Sequence, residues 1–88
     1  MNVTAPEIVL EHPVELDGVL YNKLMLSDFN ALMSFRTNSP EQVIRSMALC
    51  FDVPRRAIRH LHPDDASRAG DLLKSALDDV ARSLNSFE

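Results

Sequence analysis

Residues 7–26 read EIVLEHPVELDGVLYNKLML, and this stretch decides the class of fold. From Ile8 to Leu16 the apolar positions Ile8, Leu10, Val14 and Leu16 alternate with Glu7, Glu11 and Glu15. A period of two is the pattern of a strand with one buried and one wet face. Asp17-Gly18 follows, a dipeptide suited to the positive φ angles of a tight hairpin turn. Alternation then resumes, with Leu20, Leu24 and Leu26 assigned to one side and Tyr21 and Lys23 to the other. Pro13 offers no ladder donor, which sends its strand to an edge or a bulge. A lone hairpin is unstable in water, so its apolar face needs a cover, and the rest of the chain offers only helices.

The spacing predicts a first helix over 28–36, capped by Ser27, with Phe29, Leu32, Met33 and Phe35 inward. Ser39-Pro40-Glu41-Gln42 is the strongest local signal in the chain. Ser at the cap, Pro at the first helical position and Gln three residues on make a capping box with a pre-set φ. The helix it starts runs over 40–51, with Val43, Ile44, Met47, Ala48 and Phe51 at three-and-four spacing. Asp52-Val53-Pro54 breaks it, and a short helix over 54–61 buries Ala57, Ile58 and Leu61. His62-Pro63-Asp64-Asp65 opens the last helix, over 63–84, with acids at the positive end of the dipole. Its stripe is Ala66, Ala69, Leu73, Ala76, Leu77, Val80 and Leu84. Gly70 within it costs about 1 kcal/mol relative to Ala unless close packing calls for it. The expected architecture is one α+β domain over 1–88, an N-terminal β-hairpin packed on a small bundle of three to four helices.

Eighty-eight residues, 45% hydrophobic and 25% charged, describe a globular chain with room for one core. A domain of this size is marginal alone, so a partner or a second copy is a plausible source of stability. The single Cys50 allows no internal disulfide and no thiolate set for structural zinc, which suits a reducing compartment. Met1 to Pro6 lacks the basic segment and apolar run of a signal peptide, and no apolar stretch approaches ~18 residues. The expected location is the cytoplasm, away from the membrane.

Each candidate for chemistry has a plainer reading. His60, His62, Asp64 and Asp65 invite a metal, but a helix break at Pro63 scatters them, and they read as a helix terminus. Asp64-Asp65 and Asp78-Asp79 are sequence neighbours that point about 100° apart on a helix, the mark of solvated faces. Cys50 lies beside a buried stripe with no basic neighbour, so it reads as a small hydrophobe. With only Gly18 and Gly70, there is no phosphate-cradling loop. The chain is read with no catalytic, cofactor-binding or metal residue.

The net charge of −4 is unevenly spread. Residues 1–35 set one lysine against five acids, residues 36–60 set five arginines against two acids, and residues 61–88 set three bases against six acids. The basic middle has the layout of a helix-turn-helix spanning 40–51 and 54–61. Ala48, Val53 and Ile58 fall where such motifs place a small residue, a turn hydrophobe and a buried aliphatic, and Asp52 stands at the usual turn glycine. A recognition helix of about seven residues is short and the acidic flanks repel DNA phosphate, so a small DNA-binding regulator is the alternative reading. Arg45, Arg55, Arg56 and Arg59 are expected instead as a solvated face or as contacts to an acidic partner.

The order of these features resembles the tail assembly chaperones of P2-like and Mu-like contractile-tailed phages. Those proteins share a leading strand of the form V-x-L-x-x-P-V-x-L-D-G followed by L-x-L. Here the stretch runs Ile8-Val9-Leu10-Glu11-His12-Pro13-Val14-Glu15-Leu16-Asp17-Gly18, then Leu24-Met25-Leu26. The family's second half has a helix ending in a V-P turn, then an aliphatic, a Leu and an acidic residue opening the last helix. Val53-Pro54, Ile58, Leu61 and Pro63-Asp64-Asp65 correspond. An Arg and a Pro common in the family after the second strand are replaced by Ser27-Asp28. The resemblance implies a protein that keeps the tape-measure protein soluble while tail-tube subunits polymerise around it, and that is absent from the virion. It makes the tape-measure protein the expected partner, with the tail tube protein and self-association as further candidates. A groove between amphipathic helices suits a helical client, and Met25, Met33 and Met47 are adaptable contacts where exposed.

Overall fold

Asp17 and Gly18 both take positive φ, 51° and 80°, as a two-residue hairpin turn requires. They join β1 (Glu7–Leu16) to β2 (Val19–Met25) in a two-stranded antiparallel sheet. The computed structural model describes residues 6–85, excepting the side chains of 84 and 85. Four helices follow the hairpin: α1 (Phe29–Met33), α2 (Pro40–Phe51), α3 (Arg55–Arg59) and α4 (Pro63–Asn85). The chain is the expected α+β architecture, a hairpin packed on helices. Leu84 of the expected α4 stripe lies outside the described side chains.

The hairpin register is irregular where Pro13 predicts. Val9 faces Lys23 and Val14 faces Tyr21, so residues 10–13 of β1 stand opposite Asn22 alone. An odd surplus on one strand turns the other over, because successive side chains alternate faces. Leu24 is therefore inward near the open end, but beyond the bulge Tyr21 packs across from buried Val14 and Leu20 turns out, 57% exposed. The assignment of Leu20 to the inner side and Tyr21 to the outer is corrected on this ground.

The inner face of the hairpin, Leu10, Leu24 and Leu26, meets Leu32 of α1, Met47, Cys50 and Phe51 of α2, Ile58 of α3, and Ala69, Leu73 and Ala76 of α4. The expected stripes of α2, α3 and α4 reach this core, and that of α1 reaches it only in part. In α1 only Leu32 is buried, whereas Phe29 and Met33 are half exposed and Phe35 packs in from beyond the helix end. The helix stops short of the expected 28–36 because Ser34 closes its last turn and the Arg36 N–H donates to the Ser46 hydroxyl at 3.2 Å. Its cap is Asp28, whose carboxylate accepts from the Ala31 N–H at 3.0 Å. Ser27 instead donates to the Met25 carbonyl, so the expected Ser27 cap is also corrected.

At α2 the Ser39 hydroxyl accepts from the Gln42 N–H at 3.3 Å, one half of the capping box. The reciprocal half is missing, since Gln42 Oε1 is buried without a hydrogen-bond partner. Asp52 ends the helix in the left-handed region, φ 54° and ψ 51°. The Val53 N–H reaches back to the Ala48 carbonyl at 3.0 Å, the six-to-one bond of a Schellman turn. That left-handed residue is the position at which the sequence pattern marked a turn glycine. Among the described residues no helix is long and apolar enough to cross a membrane.

Candidate functional site

The four arginines singled out in the sequence do not act alike. Arg56 pairs with Asp17 of the hairpin turn at 3.3 Å, and Arg59 pairs with Glu41 in the first turn of α2. Both pairs are exposed and worth at most about 1 kcal/mol each, but they commit these two guanidiniums inside the chain. Among the described residues no ion pair engages Arg45 or Arg55.

Arg45 and Arg55 border an open groove of about 580 Å³ between the entry of α1 and the C-terminal half of α2. Ser27 and Asp28 contribute to its wall, as do Leu49, Asp52 and Pro54. The wall is fixed by backbone chemistry: the Ser27 and Asp28 N–H groups both donate to the Cys50 carbonyl, at 2.8 and 3.2 Å. A carbonyl in the last turn of a helix has no partner within it, so the entry of α1 completes the end of α2. A second groove, lined by Ser34, Arg36, Arg45 and Leu49, lies at the exit of α1. Leu49 and Arg45 belong to both, so α1 runs past them.

The first groove sets two arginines and two acids, Asp28 and Asp52, around an exposed leucine. Leu49 is 54% exposed, and on α1 Phe29 and Met33 are 50% and 57% exposed, one turn apart on the same face. Of the three methionines considered as adaptable contacts, Met25 and Met33 are exposed and Met47 is in the core. The sequence alone assigned Phe29 and Met33 to the core. The misleading feature was their three-and-four spacing with Leu32, which is real but belongs to a five-residue helix with room for one buried residue.

Cys50, whose carbonyl receives the Ser27 and Asp28 N–H groups, is fully buried. Burial, with the Asp28 carboxylate adding to it, pushes its thiol up from 9.0 to about 11. A thiol held protonated at neutral pH is a poor nucleophile.

The acidic pair at the start of α4 divides. Asp64 is exposed, as expected, but Asp65 has no exposed surface, which corrects its reading as a solvated residue. Its carboxylate accepts from the Glu11 N–H at 3.1 Å and the His12 N–H at 2.9 Å. Arg68, one turn along α4, donates to Asp65 at 3.2 Å and to the Val9 carbonyl at 3.0 Å. These side chains supply the partners that β2 cannot offer opposite the bulge, and Pro13 has no N–H to satisfy. Burial raises the Asp65 carboxyl, but the two backbone N–H groups and the charges of His12 and Arg68 outweigh it and hold it below the ordinary carboxylate value.

The same junction carries His12, His62 and Asp64. The rings of His12 and His62 stack with centroids 3.8 Å apart and planes 16° from parallel. His62 Nδ1 accepts from the Asp64 N–H at 3.1 Å, so the histidine caps α4, as the helix-terminus reading expects. His60 and Asp65, the other members considered from sequence, do not join this cluster. His12 does, brought in from β1, and no spacing rule signals it.

Comparisons with protein-family models, with curated proteins and with solved structures gave no match.

Proposed function

We propose that this chain is a phage tail assembly chaperone. It binds the tape-measure protein, a long and mostly helical client, and keeps it soluble in the host cytoplasm while the tail tube assembles. It acts by binding and without catalysis, and it is not retained in the virion. The observation that carries the reading is the α1–α2 surface, where exposed Leu49 lines a groove with Arg45 and Arg55, two cations with no ion pair among the described residues, and the neighbouring α1 exposes Phe29 and Met33. An amphipathic helix that buries an apolar residue on Leu49 sets acidic side chains against the arginines. The ordered motifs running from Ile8 to Asp65 support the same reading from the side of the resemblance.

A small helix-turn-helix regulator draws less support. Its recognition helix is the five-residue α3, and two of that helix's three arginines are held by Asp17 and Glu41. Co-expression with the proposed client, a tape-measure protein, tests the proposal. The expected result is a soluble client that co-purifies with this chain. A client that stays insoluble with no complex, or a chain that binds duplex DNA with a steep salt dependence instead, contradicts it.

A further inference from the structure

We propose that His12, His62 and Asp64 form a site for a divalent transition ion of the zinc type, joining β1 to the start of α4. One donor atom from each lies within 4.8 Å of the other two, and all three side chains are exposed. Two imidazoles and one carboxylate are the donor set of a borderline-soft ion, and they disfavour calcium and magnesium, which take oxygen ligands. Three protein ligands on an exposed rim leave the fourth position of a tetrahedral site to water.

The backbone beneath the site is already held. The His12 N–H is bound by the buried Asp65 carboxylate, next in sequence to Asp64, so both sides of the site rest on one anchor. His62 and Asp64 flank Pro63, whose ring fixes the turn between them. The local field also favours a cation: among the described residues, Glu11 and Asp65 pair with Arg68 and Asp64 with His62, so Arg68 is the one permanent cation in the ion pairs of this junction.

Metal binding exchanges two existing contacts. Parallel imidazoles direct their in-plane lone pairs side by side, so the stacked rings fan apart to converge on one ion. The His62 Nδ1 bond to the Asp64 N–H is released, because a neutral imidazole has one free lone pair to give. Side-chain rotation of exposed residues brings the donors from 4.8 Å to the spacing set by metal–ligand bonds of ~2.0–2.2 Å. Folding creates the site from positions fifty residues apart in sequence, so the ion stabilises the native state over the unfolded chain.

Calorimetric and thermal-melt titration of the tag-free full chain with Zn²⁺, and with Mg²⁺ for comparison, tests this. The expected result is one equivalent of Zn²⁺ bound, a raised melting midpoint, and no response to Mg²⁺. His12→Ala keeps the backbone bond to Asp65 and removes only the imidazole, so it is expected to weaken Zn²⁺ binding ~10-fold or more. His60→Ala is expected to leave binding unchanged. No Zn²⁺ binding, or binding that survives His12→Ala or is lost in His60→Ala, overturns the proposal.

Discussion

Asp64 and Asp65 are adjacent in the chain, yet one faces water and the other is fully enclosed. The difference comes from what each meets: Asp65 points at two strand N–H groups that the bulge has left without partners. A buried carboxylate persists only when its oxygens are hydrogen-bonded, and removing the acceptor leaves those donors unsatisfied. Asp65→Asn presents an amide NH₂ where an acceptor is needed. It is expected to lower stability, measured by urea unfolding. The sign of the pH effect follows from the lowered folded-state value. Asp65 contributes its full stabilisation above the ordinary carboxylate value, and that contribution is lost as pH falls through the lower folded value. Asp65→Asn is expected to flatten this acid limb of the stability curve, and an unchanged limb contradicts the assignment. Leu32 is the one fully buried side chain of α1, and Leu32→Ala is expected to cost ~2–5 kcal/mol.

At the scale of elements, the helix ends carry the local specificity. Ser39→Ala removes the bond to the Gln42 N–H and is expected to cost ~1 kcal/mol by chemical denaturation. Asp52 holds a left-handed conformation that costs an L-residue ~1–2 kcal/mol, part of which Asp52→Gly recovers at the expense of unfolded-chain entropy. The net expectation is a gain of a few tenths of a kcal/mol. Beyond its chain neighbours and its own helix backbone, no atom lies within 4 Å of where a Cβ at Gly70 stands, so close packing does not explain it. It borders an open apolar groove with Phe35, Val43, Leu73 and Leu77, and Gly70→Ala is expected to stabilise α4 by up to ~1 kcal/mol. The caps and stripes of α2 and α4 were legible in the sequence because they depend on residues close in the chain. Pro13 likewise announced the bulge. The inversion of Leu20 and Tyr21 was not legible, since it depends on how many residues the bulge inserts. Asp65 escaped for a related reason: its partners are backbone N–H groups more than fifty residues away, which no side-chain pattern records. The candidate surface was half legible. Arg45 and Arg55 were marked by composition, whereas Leu49, Phe29 and Met33 sit on faces that only the packing of α1 against α2 reveals.

Across the whole molecule, the basic middle sits between two acidic flanks, and folding draws part of its charge into ion pairs with them. Arg56 meets the hairpin turn, while Arg45 and Arg55 remain beside an apolar surface. A small core gives a modest stability margin, so a client that binds the native state raises the melting midpoint with its concentration. Leu49→Asp alters an exposed side chain and is expected to leave the fold intact while weakening client binding ~10-fold or more, as expected for an apolar anchor at an interface. The most direct measurement is a titration of the isotope-labelled chain with a helical segment of the tape-measure protein, followed through its backbone amide signals. The account predicts shifts concentrated at Ser27 to Met33, Arg45, Leu49 and Arg55, and their loss in Leu49→Asp. Shifts confined to α4, or no binding at all, contradict it.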